Sequence, residues 1–298
     1  MKSSILFILL VNSFIFLQAQ DATVKEITDV NSKSVPGNDS NGWKRSGIFI
    51  LNINQGALSN WVAGGENYTL GINSLLNYGI NLRQGRHTWD NFFDMALGFQ
   101  NAASFNKARK IDDRIDITSK YGYQLSKYWY ASLLFNFNSQ MLPGYDYSTE
   151  PETKISNFLS PGKIILGPGM NYKTANRFSL FISPASFKWV LKKDPDFFHE
   201  AKFGVDSAQK ANMEFGAYVT ATYKAEITRW ATYTGRLDLF SNYKRNPENV
   251  DLLMTNLLTM SFNKTFATNL SLDLIYDDDV IKRLQLKEVL GIGLTINL

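Results

Sequence analysis

Acid–base chemistry near neutral pH needs a group that can hold or release a proton there, and the chain offers two histidines for it. His199 lies in "KKDPDFFHEAKFG", with Asp194, Asp196 and Glu200 close by in sequence. An acid–histidine constellation of this kind would suit hydrolysis of a lipid or a peptide, or would hold a metal ion. Side chains that are neighbours on a loop need not converge, so a solvated loop is the stronger reading. His87, in "RQGRHTWD", sits beside a glycine turn, and nearby hydroxyls alone are a weak catalytic signature; it reads as a histidine at a polar rim. "YDDDV" carries Asp277, Asp278 and Asp279, which could gather calcium, but it has neither the alternating ligand spacing nor the turn glycine of a calcium loop. The pair Gly64-Gly65 in "SNWVAGGENYTLG" lacks the strand-to-helix setting and the lysine of a phosphate cradle. Cysteine is absent, which excludes disulfides, thiolate metal sites and thiol nucleophiles. No cofactor and no metal are expected.

What positions these residues is legible from the N-terminus onward. Residues 1–19 read as a cleavable signal peptide: Lys2 is the positive n-region, Ile5 to Leu17 the apolar stretch and Ala19 the small residue before cleavage. Asn12, Ser13 and Gln18 interrupt the run, which is too short for a membrane-spanning helix. Residues 20–42 are polar and hold Pro36 and Gly37, as a flexible periplasmic lead-in would. The formal charge of +4 falls by one when Lys2 leaves, too weak a balance to suggest nucleic acid as a partner.

From residue 43 to 298 the signal has a period of two. In "MEFGAYVTATYKAEIT" one face collects Met213, Phe215, Ala217, Val219, Ala221, Tyr223, Ala225 and Ile227; the other collects Glu214, Thr220, Thr222, Lys224 and Glu226. Segmented on this parity, the chain yields about twelve strands, the even number that bacterial barrels require. They span 44–54, 68–83, 87–100, 112–125, 128–139, 162–173, 177–187, 212–227, 230–243, 250–263, 265–277 and 285–298. Tight connections at residues 84–86, 126–127, 173–176, 228–229 and 263–264 alternate with long ones at 55–67, 101–111, 140–161, 188–211, 244–249 and 278–284. The expected fold class is therefore all-β: a transmembrane antiparallel up-and-down β-barrel with short periplasmic turns and longer extracellular loops. Aromatics flank the tight turns (Tyr121, Tyr123, Tyr128, Trp129 and Tyr130; Tyr172 and Phe178; Tyr223, Trp230 and Tyr233), as an interfacial girdle would. The last strand alternates from Leu286 to Leu298, a signal for barrel-assembly machinery, with leucine in place of the usual terminal aromatic.

The segments "GALSNWVAGGENY", "FLSPGKIILGPGMNYKTANRFSLFISPASFKWV" and "AKFGVDSAQKANMEFGAYVTATY", in this order, resemble an uncharacterised outer-membrane family of Bacteroidota, a domain-of-unknown-function family. The resemblance implies an outer-membrane barrel with a signature loop at Trp61, Gly64, Gly65 and Glu66. It implies no substrate.

Parity alone assigns the lumen. It places Asn73, Asn77, Asn81, Gln124, Asp90, Asp94, Asp116, Lys120, Glu214, Lys224, Glu226, Arg236, Asp238, Asp251 and Asp273 inside. Such mixed charge suits either a wet channel or an interior knitted by ion pairs. Phe92, Leu134, Phe181, Leu253 and Leu257 also face inward, which favours a partly filled interior over a wide pore. The expected function is non-enzymatic: a narrow channel for small polar solutes, or a membrane-embedded subunit of a larger cell-envelope complex. The alternative is an outer-membrane surface hydrolase using His199. Expected partners are outer-membrane lipid and lipopolysaccharide, barrel-assembly machinery during biogenesis, and other envelope proteins.

Overall fold

The computed structural model describes residues 41–59, 65–174, 177–228, 230–263, 265–277 and 281–298. The signal peptide, most of the lead-in, Trp61, Gly64, Asp278 and Asp279 lie outside the described residues. Wherever the sequence alternates, a strand forms: β1 Gly42–Ala57, β2 Tyr68–Gln84, β3 His87–Ala102, β4 Arg109–Gln124, β5 Trp129–Ser139, β8 Gly162–Thr174, β9 Phe178–Leu191, β10 Ala211–Thr228, β11 Ala231–Asn242, β12 Val250–Ser261, β13 Phe266–Asp277 and β14 Ile281–Asn297. These twelve pair in chain order, each antiparallel to its neighbours, and β14 returns to β1 to close the ring. The expected twelve-stranded up-and-down barrel is the observed one.

The period of two sorts the side chains as a closed barrel requires. Along β5, Leu134, Asn136 and Asn138 are buried inside while Leu133 and Phe135 stand exposed outside. On β14, Leu286, Leu290 and Ile292 are exposed, Leu290 to 63%. In water each such side chain would forgo about 1.5–3 kcal/mol of burial free energy, so an outer face of this kind is one that lipid covers. The aromatic girdle is found beside the tight turns, with Trp43 and Trp89 added to it. One expected member is corrected: Tyr130 is buried in the lumen, because it has the parity of Leu134 rather than that of Trp129.

Several strands outrun their sequence boundaries. β4 starts at Arg109, β9 continues to Leu191 and β14 begins at Ile281, so the connection expected over 278–284 shrinks to 278–280. Ladder hydrogen bonds persist past the alternating apolar run: on β4 Asp112 and Asp113 are both buried, and on β14 Lys282 and Arg283 are both exposed. The connection 140–161 is not a plain loop either. It holds a hairpin of β6 (Gly144–Asp146) and β7 (Thr153–Ser156).

This hairpin is clasped to the 192–210 connection. Asp194 accepts hydrogen bonds from Lys154 Nζ at 2.9 Å, Asn157 Nδ2 at 2.6 Å and the Asp196 backbone N–H at 3.0 Å. Lys192 is fully buried, its ammonium donating to the carbonyls of Glu200 at 2.6 Å and Asp206 at 2.9 Å, beneath an apolar cluster of Val190, Phe197, Phe203 and Val205. Burial works to raise the Asp194 carboxyl, but the bonds from Lys154, Asn157 and Asp196 outweigh it and hold the group below its ordinary 3.8. Hydrogen bonds to Asp196 and Asp194 hold Lys154 above its ordinary 10.5. A depressed carboxylate stabilises fully above its unfolded pKa and a raised ammonium fully below its own. The clasp is therefore expected to hold at full strength from about pH 4 to pH 10, and to be lost only as pH falls through the Asp194 value, below 3.8, or rises through the Lys154 value, above 10.5. Asp194→Ala should speed tryptic cleavage after Lys154 about tenfold at neutral pH, without altering the heat-modifiable gel shift of the barrel. Unchanged cleavage would mean that the hairpin is held by something else.

Candidate functional site in the barrel lumen

Inward-facing residues two apart on one strand, or opposite one another on neighbouring strands, stand close enough to pair, and the lumen uses both relations. Asp94 and Asp116 are directly opposite each other on β3 and β4. Like charges so placed repel unless cations intervene. Arg114 Nη2 bonds Asp94 at 3.0 Å, Asn77 Nδ2 donates to Asp94 at 3.0 Å, and Asp116 accepts from Asn136 at 2.8 Å and Thr118 at 3.2 Å. Across the lumen, Arg236 and Asp238 pair along β11, with Nε 2.6 Å from the carboxylate, and Tyr218 donates its hydroxyl to Asp238 at 2.6 Å. Arg236 also lies within electrostatic reach of Asp116, so the two halves of the layer face each other.

Beside this charged layer stands an apolar one of Leu134, Ile165, Phe181, Tyr218 and Phe240. Phe181 lies against Gly169, where a Cβ would come within 2.8 Å of the ring; the glycine makes room for the phenyl inside the barrel. Asp94, Asp116 and Phe181 each have 0% of their surface open to water. The middle of the lumen is filled.

The two ends differ. Toward the long loops, Lys188 binds Glu214 and Asp251, each at 3.1 Å, and Lys163 stands 3.8 Å from Asp277. Between them lies a cavity of about 80 Å³, walled also by Ile165, Tyr218, Phe240, Leu253 and Ile275. That is room for a few waters. Toward the tight turns, Lys173 on β8 reaches to Asp90 on β3 and passes 5.3 Å from the Tyr130 ring. Lys120 is buried just inside, Lys224 is half-buried at the mouth and Glu226 is exposed there.

All ten lumen candidates, Asp90, Asp94, Asp116, Lys120, Glu214, Lys224, Glu226, Arg236, Asp238 and Asp273, thus sit on the inner parity of their strands. Five of them, Asp90, Asp94, Glu214, Arg236 and Asp238, are engaged in ion pairs. Glu226 lies outside the filled region, because β10 ends two residues later. Asp273 is buried on β13 opposite Thr255 and Lys287. Four cations were missed by sequence reasoning. Arg114 has the parity of Asp116 and was there to be read; Lys188 lies one residue past the predicted end of its strand; Lys163 and Lys173 flank a run, "ILGPGMN", whose glycines and proline blur the alternation.

The residues first suspected of chemistry are placed elsewhere. His87 is on the outer face, its Nδ1 2.5 Å from the Tyr121 hydroxyl and its ring 5.2 Å from that of Tyr123, so it belongs to the girdle. His199 has no hydrogen bond or ion pair among the described residues; Asp194 and Asp196 are engaged by Lys154, and Glu200 pairs with Lys202 at 3.2 Å. The acid–histidine constellation is therefore not assembled. Asp277 ends β13, turned toward Lys163. No cluster of ligand side chains that could hold a metal occurs among the described residues. In the signature loop, Gly65 has φ +123°, which a side chain rarely adopts, and Glu66 binds the backbone N–H of Ser104 at 3.1 Å and its hydroxyl as well. Glu66 thereby ties the β1–β2 connection to the β3–β4 connection.

Residues 53–145 match a family described as proteins of unknown function (DUF3078). The match covers less than half of the chain and includes Asp90, Asp94, Asp116 and Lys120 from the lumen and Glu66 from the signature loop. No curated protein matches. Among solved structures, the chain is similar to an outer-membrane channel from Pseudomonas putida F1, at 9% identity and TM-score 0.41, over 91% of this chain and 99% of that one. It is similar to the NanC porin at 8% identity and TM-score 0.41, over 83% and 98%. It is similar as well to the outer-membrane phospholipase A of Escherichia coli at 10% identity and TM-score 0.39, over 89% and 95%. The ring of strands resembles those of outer-membrane barrels, and at these identities the likeness is one of fold.

Proposed function

We propose that this protein is a non-enzymatic outer-membrane barrel with a lumen closed at rest, through which small polar solutes pass only when the central layer rearranges. The zero exposure of Asp94 and Asp116 carries this reading, because a water-filled pore would wet its inner charges. The loop-side cavity and the cation-lined opposite mouth are two approaches to one occluded layer, which is the arrangement of a gated path. The apolar outer face and the aromatic girdle support a place in the outer membrane, with the tight turns in the periplasm and the long loops outside, lipid and lipopolysaccharide around the rim, and an exported precursor inserted by barrel-assembly machinery.

Purified barrel added to a planar bilayer is expected to give no steady conductance above the bare membrane. A constant open-pore current from the unmodified protein would overturn the closed state. A second reading, a membrane-embedded subunit of a larger envelope complex, is favoured by the clasped loops 140–161 and 192–210, which form a folded platform with its own apolar cluster. Stoichiometric copurification with other envelope proteins from mildly solubilised membranes would support it.

A further inference from the structure

In a row of the sheet near the tight turns, Asp90 lies directly opposite Asn81 on one side and Lys120 on the other. Its carboxylate is turned to neither. It is bonded by Lys173 instead. Lys120 is 5% exposed, and among the described residues no hydrogen bond or ion pair reaches its ammonium. The charges nearest to it are Lys173, Asp90 and Arg236, of which the carboxylate is paired with the first and Arg236 is paired with Asp238. Asn81 is 4% exposed, and among the described residues neither its amide nitrogen nor its amide oxygen finds a partner.

An ammonium whose nearest carboxylate is already taken by Lys173 and a buried amide without a partner among the described residues are each unfavourable, and here they flank that same carboxylate. Water could bond the amide, but it brings no charge to the ammonium. We propose that the lumen binds a small oxoanion, a carboxylate or a phosphate, between the Lys120 ammonium and the Asn81 amide.

The anion enters from the tight-turn mouth. There the Lys173 and Asp90 side chains are 19% and 14% exposed, so water reaches this level, whereas the layer above is sealed by Leu134 and Phe181. A cation is disfavoured, because Lys173 and Arg236 both act on Lys120 and the nearest carboxylate is already bonded. The site stands whether or not the barrel conducts: a silent barrel can still hold an anion below its closed layer.

The full-length barrel in detergent, titrated calorimetrically with sodium phosphate and separately with sodium acetate at constant ionic strength, is expected to show saturable binding of at least one of them. Phosphate alone or acetate alone identifies which oxoanion fits. Lys120→Met should weaken that binding at least about thirtyfold, and Asn81→Leu by a smaller factor, with both variants still heat-modifiable on gels. Should Lys120→Met fail to fold, Asn81→Leu and the unmodified protein carry the test. No saturable binding of either anion, or binding undiminished in the folded variants, overturns the site.

Discussion

Arg236→Met is expected to destabilise the barrel by about 3–5 kcal/mol, because it leaves Asp238 charged in a layer that water does not reach. The pair cannot relax into solvent: Arg236 and Asp238 are both buried, and Tyr218 already donates to the same carboxylate. The loss is mostly that of the stranded partner rather than the net worth of the pair. A double variant, Arg236→Met with Asp238→Leu, should therefore recover most of it. Urea unfolding of barrel folded into lipid vesicles reads both numbers. If Arg236→Met costs no more than Lys224→Met, whose side chain is half-buried at the mouth, the central layer does not hold the barrel in the way its geometry implies.

The second large effect concerns the apolar half of the same layer. Phe181→Ala removes a fully buried ring and should cost about 3–5 kcal/mol, since Gly169 beneath it offers no side chain to refill the space. Combined with Leu134→Ala, it is expected to open the apolar layer that stands between the loop-side cavity and the opposite mouth. The double variant should then carry a steady current in planar bilayers where the unmodified barrel carries none. A variant that folds, remains heat-modifiable and still passes no current would show that the charged layer alone closes the lumen, and the gate would have to be sought at Arg236 and Asp238. These two experiments separate the electrostatic part of the closure from the steric part.

The barrel was legible because its periodicity is local. Which residues face inward follows from counting by two, so Asp94, Asp116, Arg236 and Asp238 could be placed without knowing their partners. Which of them pair could not be read. Lys173 meets Asp90 across two intervening strands, a relation set by barrel curvature and strand stagger rather than by spacing along the chain. For the same reason parity left open whether the lumen was wet or knitted, since that depends on how far arginine and lysine side chains reach across it. The histidines misled in the opposite direction. His199 has carboxylates close by in sequence, but an aspartate followed by a proline caps a short turn at Pro195–Phe197, and that turn orients Asp194 toward Lys154 rather than toward the imidazole.

The ring closes between β1 and β14 through five register pairs, Ile48 to Asn52 against Gly293 to Asn297, extended by the reciprocal hydrogen bonds of Gly47 and Leu298, whereas β1 meets β2 through sixteen. That difference sets an order of events. Most neighbouring strands are joined by a short connection and can zip as hairpins, but this joint links residues more than two hundred positions apart, and its loop-closure entropy grows with that separation. The seam is thus expected to be the last joint to form and the first to part. Until it forms, the nascent protein is a curled sheet with two bare edges in search of hydrogen bonds, and whatever shelters those edges during insertion decides whether the molecule becomes a barrel or an aggregate.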